Sequence, residues 1–181
     1  MRKKEQTRQR RAILAVILAL ALVLVPSSGV FAATTADITV TATPQYIAIA
    51  MAAGNDTYDF GVVATSATPS TAEDYFNVVN SSTVVTDNTI SVTTATWSGG
   101  VTWTHSDTNT PGEDTAGLLA NQDGTWGVSD VIVKNSDPNI LADDQAATTD
   151  WAFGLKLAAP TAFTDGVEKE IVVRVTAAAA S

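Results

Sequence analysis

The sequence predicts an all-β protein, an antiparallel β-sandwich with immunoglobulin-like or jelly-roll packing, and three observations predict it. After Ala33 no window of helical length carries a 3.6-residue apolar period. Threonine occurs 26 times in the 149 residues from Ala33 to Ser181, and valine is frequent; both are β-branched and suit a pleated surface better than a helix. Short segments of period-2 alternation recur between clusters of Gly, Pro, Asn, Asp and Ser.

The residues before Ala33 follow another pattern. Residues 1–11 are basic, Ala12 to Val25 are apolar without interruption, and Pro26-Ser27-Ser28-Gly29 breaks the run. Val30-Phe31-Ala32 then places small residues where a signal peptidase reads them. Fourteen residues at ~1.5 Å each span about 21 Å, short of the roughly 30 Å hydrocarbon core. Residues 1–32 are therefore expected to be a signal peptide, cut after Ala32. The alternatives are a retained anchor and a pilin-type signal cut near Arg11-Ala12.

In chain order, the expected strands begin with Asp37 to Thr43, where Ile38, Val40 and Ala42 alternate with Asp37, Thr39, Thr41 and Thr43. Pro44 ends that run, because proline cannot donate to a ladder. Tyr46 to Ala50 is a short second run. Tyr58, Phe60 and Val62 alternate with Asp59 and Gly61, and Tyr75 to Val79 follows a polar loop. Thr89 to Thr96 and Val101 to Thr104 flank the turn Ser98-Gly99-Gly100. Val128 to Val133 precedes a loop at Asn135 to Asn139. Trp151, Phe153, Leu155 and Leu157 alternate with smaller or charged residues, and Glu170 to Thr176 is the last strand. Thr108 to Ala116 and Leu141 to Thr149 read as surface loops, and Ala177 to Ser181 as a featureless tail. Trp97, Trp103, Trp126 and Trp151 are expected to anchor the core, each burying on the order of 200 Å2. The domain expectation is a signal peptide at 1–32, a detachable N-terminal strand at 33–43 and a sandwich at 44–181.

Composition narrows the function. The whole chain has 10 basic and 19 acidic residues, one histidine and no cysteine. From Ala33 onward only Lys134, Lys156, Lys169 and Arg174 stand against 18 acids, a net charge of −14. A nucleic-acid surface needs clustered Lys and Arg, so none is expected. Without cysteine there is no disulfide, no Cys-ligated zinc and no thiol nucleophile. No catalytic constellation is evident, so no enzyme activity and no cofactor are expected.

Several motifs have ordinary readings. Asp59-Phe60-Gly61 matches a kinase metal motif in three letters only. Asp107 to Gly112 starts like a calcium loop, but its twelfth position is Leu118, so it is no EF-hand; a polar turn is the expectation. Asp143-Asp144 are adjacent carboxylates that calcium or water must relieve. His105-Ser106-Asp107 holds the letters of a triad, but neighbours in sequence do not reach triad geometry. Trp97 and Trp103 flank a loop and are candidates for sugar stacking, though core packing is the stronger reading. Asn55-Asp56-Thr57 and Asn80-Ser81-Ser82 are glycosylation sequons, making Asn55 and Asn80 candidate acceptors.

An exported, acidic sandwich without catalytic groups points to a structural or adhesive role. Its leading strand sharpens this. Ile38, Val40 and Ala42 would fill an apolar groove between edge strands of a neighbouring subunit, the donor-strand form of β-augmentation. Such contact is head-to-tail and propagates into an open filament. An ordinary first strand within its own sheet is the alternative.

The export signal, the N-terminal strand, Tyr58-Asp59-Phe60-Gly61-Val62 and Tyr75-Phe76-Asn77-Val78-Val79-Asn80 resemble prokaryotic secreted β-sandwich filament proteins, namely TasA-like matrix fibres and archaeal bundling pilins. The resemblance implies a jelly-roll-like sandwich that polymerises by donor-strand exchange. Trp151-Ala152-Phe153 departs from the Trp-x-Leu motif of cell-wall WxL domains. The expectation is a subunit of an extracellular filament or cell-surface layer whose partner is another copy of itself. Calcium and surface glycans are further candidate partners, and divalent cations or low pH would favour bundling by screening the charge. A secreted carbohydrate-binding or adhesin module is the runner-up, and a secreted hydrolase a third reading.

Overall fold

A computed structural model of the protein describes residues 44–181 together with Thr39, Thr41 and Ala42. Residues 43–181 form a unit separate from residues 1–42. The expected signal peptide lies outside the described residues, as do Ile38 and Val40. Of the expected first strand, Thr39, Thr41 and Ala42 are exposed and carry no regular structure.

The second unit is a β-sandwich, and all regular structure among the described residues is β. Its strands are β1 (Ile49–Met51), β2 (Phe76–Asn80), β3 (Thr86–Val92), β4 (Thr96–Trp97) and β5 (Trp103–His105). They are followed by β6 (Thr115–Asn121), β7 (Val131–Ile132), β8 (Asn139–Gln145), β9 (Trp151–Ala158) and β10 (Val173–Ala179). The larger sheet has the order β1-β2-β9-β6-β5-β4, with β7 also on β6. The smaller sheet is β10-β3-β8. All pairs are antiparallel except β5 with β6, which run parallel at Thr104↔Thr115 and His105↔Ala116.

Alternation works as a sheet requires. In β3, Thr86, Asn88, Ile90 and Val92 point inward and Asp87, Thr89 and Ser91 outward. β2 turns Phe76 and Val78 to the core, where Phe76 stacks on Phe153 of β9 with centroids 5.1 Å apart. Ile90, Leu118, Val78 and Val133 are fully enclosed. Burial of each such side chain contributes about 1.5–3 kcal/mol. Asn88 and Thr86 are polar yet buried, and they satisfy part of that demand mutually: the Asn88 amide donates to Thr86 Oγ1 at 3.2 Å.

Three expectations need correction. Tyr58 to Val62 is extended loop rather than strand: Gly61 adopts φ +66°, and Val62 is wholly exposed. Leu141 to Thr149 is no simple loop, because its first half is the outer strand β8. Thr108 to Ala116 ends inside β6, a strand buried on both faces and therefore without alternation. The tail also differs. Ala177, Ala178 and Ala179 pair with Asn88, Asp87 and Thr86, so the alanines continue β10.

Of the four tryptophans, Trp97, Trp103 and Trp151 are buried, whereas Trp126 sits half-buried in the loop after β6 with Lys156 over its ring at 5.3 Å. Its position after Gly124 in a turn held by Asp130 takes it out of the core. Trp151→Ala is therefore expected to cost about 3–5 kcal/mol in urea unfolding. Trp126→Ala should cost about 1 kcal/mol or less, the scale of an exposed cation–π contact. Equal losses for the two variants would contradict this placement.

Candidate functional site: an apolar groove between two free edges

The two sheets are unequal in strand number, and a groove runs beside their shared core. The groove has a volume of about 1240 Å3 and is open along one side. Its floor is the inward row of β2, β9 and β6: Phe76, Val78, Phe153, Leu155, Leu157 and Leu118. Trp97 and Trp103 line it as well, and Phe163 stacks on Trp103 at 5.3 Å. One rim is residues 56–63, the other residues 165–175. Val62, Val167 and Val172 are exposed along these rims. The volume exceeds the roughly 300–1,000 Å3 of a small-molecule site, and the lining is mostly apolar.

Both flanking strands are sheet edges. β1 pairs only with β2, and β10 only with β3. Just before β1, Tyr46 and Ala48 accept from the N–H groups of Thr83 and Ser81, at 2.8 and 3.0 Å, and just after it the Ala52 N–H donates to the Asn77 carbonyl. Alternation then turns the backbone groups of Ile47, Ile49 and Met51 away from β2. The groove thus offers apolar floor and unpaired backbone together, which is the chemistry an extended segment needs.

One rim is latched. The Lys169 ammonium donates to Asp165 Oδ1 at 2.6 Å and to the Gly99 carbonyl at 2.5 Å, and it lies 5.8 Å from the Trp103 ring. Its side chain is only 4 % exposed, so the ion pair is shielded from solvent on the lysine side. Gly99 has φ +108°, and a Cβ there would collide with the Glu168 carbonyl, so this turn requires glycine. The hydrogen bonds from Lys169 and from the Val101 N–H hold the Asp165 carboxyl below its ordinary pKa.

Other polar clusters are structural in arrangement. Asp107 accepts from the Asn135 N–H at 2.7 Å and the Ser136 hydroxyl at 2.9 Å. Burial pushes its pKa up, but these bonds outweigh it and the net shift is downward. The carboxylate therefore staples two loops. His105 is buried with Nε2 2.7 Å from the Val133 carbonyl, and Ser106 Oγ accepts from the Thr110 N–H, so no triad forms. On the outer edge, Asp87, Asp143 and Asp144 bring carboxylate oxygens within 4.8 Å of one another. A hydrogen bond with Asp87, then repulsion from it, raises the Asp143 pKa. Three oxygen donors of this kind are hard-cation chemistry.

The structure treats the candidate residues unequally. Ile38 and Val40 lie outside the described residues, and Ala42 is exposed. Asn80 is 3 % exposed; its amide donates to the Ala146 carbonyl, and its Oδ1 accepts from the Ser82 N–H. That side chain is committed to the fold. Asn55 is half-buried and donates to the Tyr75 carbonyl at 2.8 Å. Trp97 and Trp103 are buried core residues, as the stronger of the two sequence readings expects, and present no sugar-stacking platform. Sequence reasoning did not identify the rims: the alternation at Tyr58 to Val62 and at Glu170 to Thr176 signals strands, and neither pattern says what lies beside it.

A carboxylate with a depressed folded-state pKa stabilises the fold above its unfolded value, near 3.9, and loses that contribution as pH falls through the folded value. Asp165→Asn should therefore unfold at lower urea concentration than wild type at pH 7. The wild-type advantage should vanish as pH is lowered below about 4. An advantage that does not change with pH would contradict the latch. Comparison with protein-family models, curated proteins and solved structures finds no match to this chain, so the groove and its edges are what bear on function.

Proposed function

We propose that the protein is a structural subunit of an extracellular filament or cell-surface layer, assembled by donor-strand complementation. One observation carries the reading: an apolar groove of about 1240 Å3 flanked by the edge strands β1 and β10. The floor side chains are buried, and the apolar side chains open to solvent are Val62, Val167 and Val172 on the rims. An alternating strand fits the groove better than a compact ligand does, because unpaired backbone groups run along both flanks.

The chain carries such a strand. Residues 33–43 contain Ile38, Val40 and Ala42 at period 2, with Asp37, Thr39 and Thr41 between them. Inserted into a neighbour's groove, the apolar row meets the floor and the polar row faces water. The export signal places assembly outside the cytoplasm. The net charge of −14 after Ala33 keeps free subunits apart until strand insertion overcomes the repulsion.

Among the described residues, the fully buried core falls between Phe76 and Ala159. The mature protein should form filaments visible by electron microscopy. The chain lacking residues 33–43 should remain a folded monomer with an unchanged urea midpoint. Filaments formed by the truncated chain would overturn the proposal.

A further inference from the structure

We propose that the incoming segment adds along residues 169–174, the start of β10 and the chain entering it, antiparallel to them, with Asp37 of one copy beside Arg174 of the next. Ile38, Val40 and Ala42 then lie beside Val173, Ile171 and Lys169. This rests on the donor-strand reading above and supplies the acceptor strand, the direction and the register.

The hydrogen bonds of β10 define which of its groups are free. Val172 O accepts from the Thr93 N–H at 2.9 Å, and the Ala180 N–H donates to Val85 O at 3.0 Å. Glu170 exchanges both of its backbone bonds with Ser98, at 2.8 and 2.9 Å. Even-numbered residues thus face β3 and β4. By alternation, Ile171, Val173 and Val175 present their N–H and C=O groups to the other side. The seven pairs from Val173↔Val92 to Ala179↔Thr86 run without a register shift, and the chain entering β10 is held in turn by the Glu170↔Ser98 bridge. The opposite edge of the same sheet is irregular. β8 has two register shifts against β3 and carries Asp143 and Asp144, features that blunt an edge.

Charge selects the register. Asp37 is the only charged residue in 33–43. Among the described residues, Lys134 pairs with Asp137, Lys169 pairs with Asp165, and Lys156 lies over Trp126. Arg174 alone of the cations makes no such contact among those residues. It is exposed on the outer face of β10, while Val173 and Val175 are half-buried on the inner face. Residues opposite one another in adjacent strands share a face. Asp37 beside Arg174 therefore turns Ile38, Val40 and Ala42 inward, and a slip of one residue would turn the threonines inward instead.

The groove selects the direction. A parallel strand in this register would run Ile38 to Ala42 along Val175 to Ala179, beyond the groove. The antiparallel strand runs along residues 169–173, which line it. Even-numbered residues of β10 do not bond to the new strand, so Asp37 and Arg174 form a non-hydrogen-bonded pair. Such pairs have Cα atoms about 4.5 Å apart, within disulfide reach.

The chain has no cysteine, so cross-linking starts from a clean background. In the mature protein, Asp37→Cys with Arg174→Cys should give, on oxidation of assembled material, a ladder of covalent oligomers on a non-reducing gel. Asp37→Cys with Thr176→Cys should give none. Arg174→Asp should raise the critical concentration for assembly about two- to fivefold, as like charges replace a cross-strand pair. Arg174→Asp with Asp37→Arg should restore it. Filaments that cross-link at position 176 and not at 174 would overturn this register while leaving donor-strand assembly intact. A cross-linked monomer would place the strand in its own subunit and overturn both. If the unmodified mature protein never assembles, the proposed function itself fails.

Discussion

An apolar sheet face must be covered, and in this molecule the two sheets that cover each other are unequal in strand number. The path β1-β2-β9-β6-β5-β4 meets only three strands, β10-β3-β8. Ile90 and Val92 of β3, with Leu141 and Ala142 of β8, pack into the same core as Phe153 and Leu118. Phe76, Leu155 and Leu157 are also the floor of the groove. Adding one strand to the small sheet would extend its cover over that floor. The position is unpaired along the outer side of β10, and the hydrophobic effect acts on apolar side chains that enter it.

The treatment of the edges follows the same logic. An unpaired strand edge invites association, and proteins usually break, charge or cover it. β8 is broken by register shifts and flanked by three carboxylates. β10 has an unbroken register and ends in alanines. The Lys169–Asp165–Gly99 latch fixes the chain entering β10, and the Gly99 turn lets Glu168 approach closely. The result is one edge kept regular and another made unsuitable for pairing.

Much of the fold was legible because its alternation was clean. Trp151, Phe153, Leu155 and Leu157 named β9, and Ile171, Val173 and Val175 named the C-terminal strand. β6 was hidden because Ala116, Gly117, Leu118, Ala120 and Asn121 are all buried, so no polar face marks the period. β8 was hidden because its exposed second half is Asp143-Asp144-Gln145, which reads as loop. The alternation of Tyr58, Phe60 and Val62 misled, since Tyr58 and Phe60 pack edge-on in an aromatic cluster with Tyr75 rather than in a ladder. The groove itself arises from strand order, and no local pattern encodes which strand ends up unpaired.

The entry to β1 has a mechanical consequence. Tyr46 grips Thr83 at both ends, its N–H donating to Thr83 Oγ1 at 3.0 Å and its C=O accepting from the Thr83 N–H at 2.8 Å. Only Thr43, Pro44 and Gln45 separate that anchor from Ala42. Four extended steps of ~3.3 Å give a tether of about 13 Å. In the proposed fibre a tether this short would make adjoining subunits abut, and bending stiffness would come from the abutting surfaces instead of from a flexible leash.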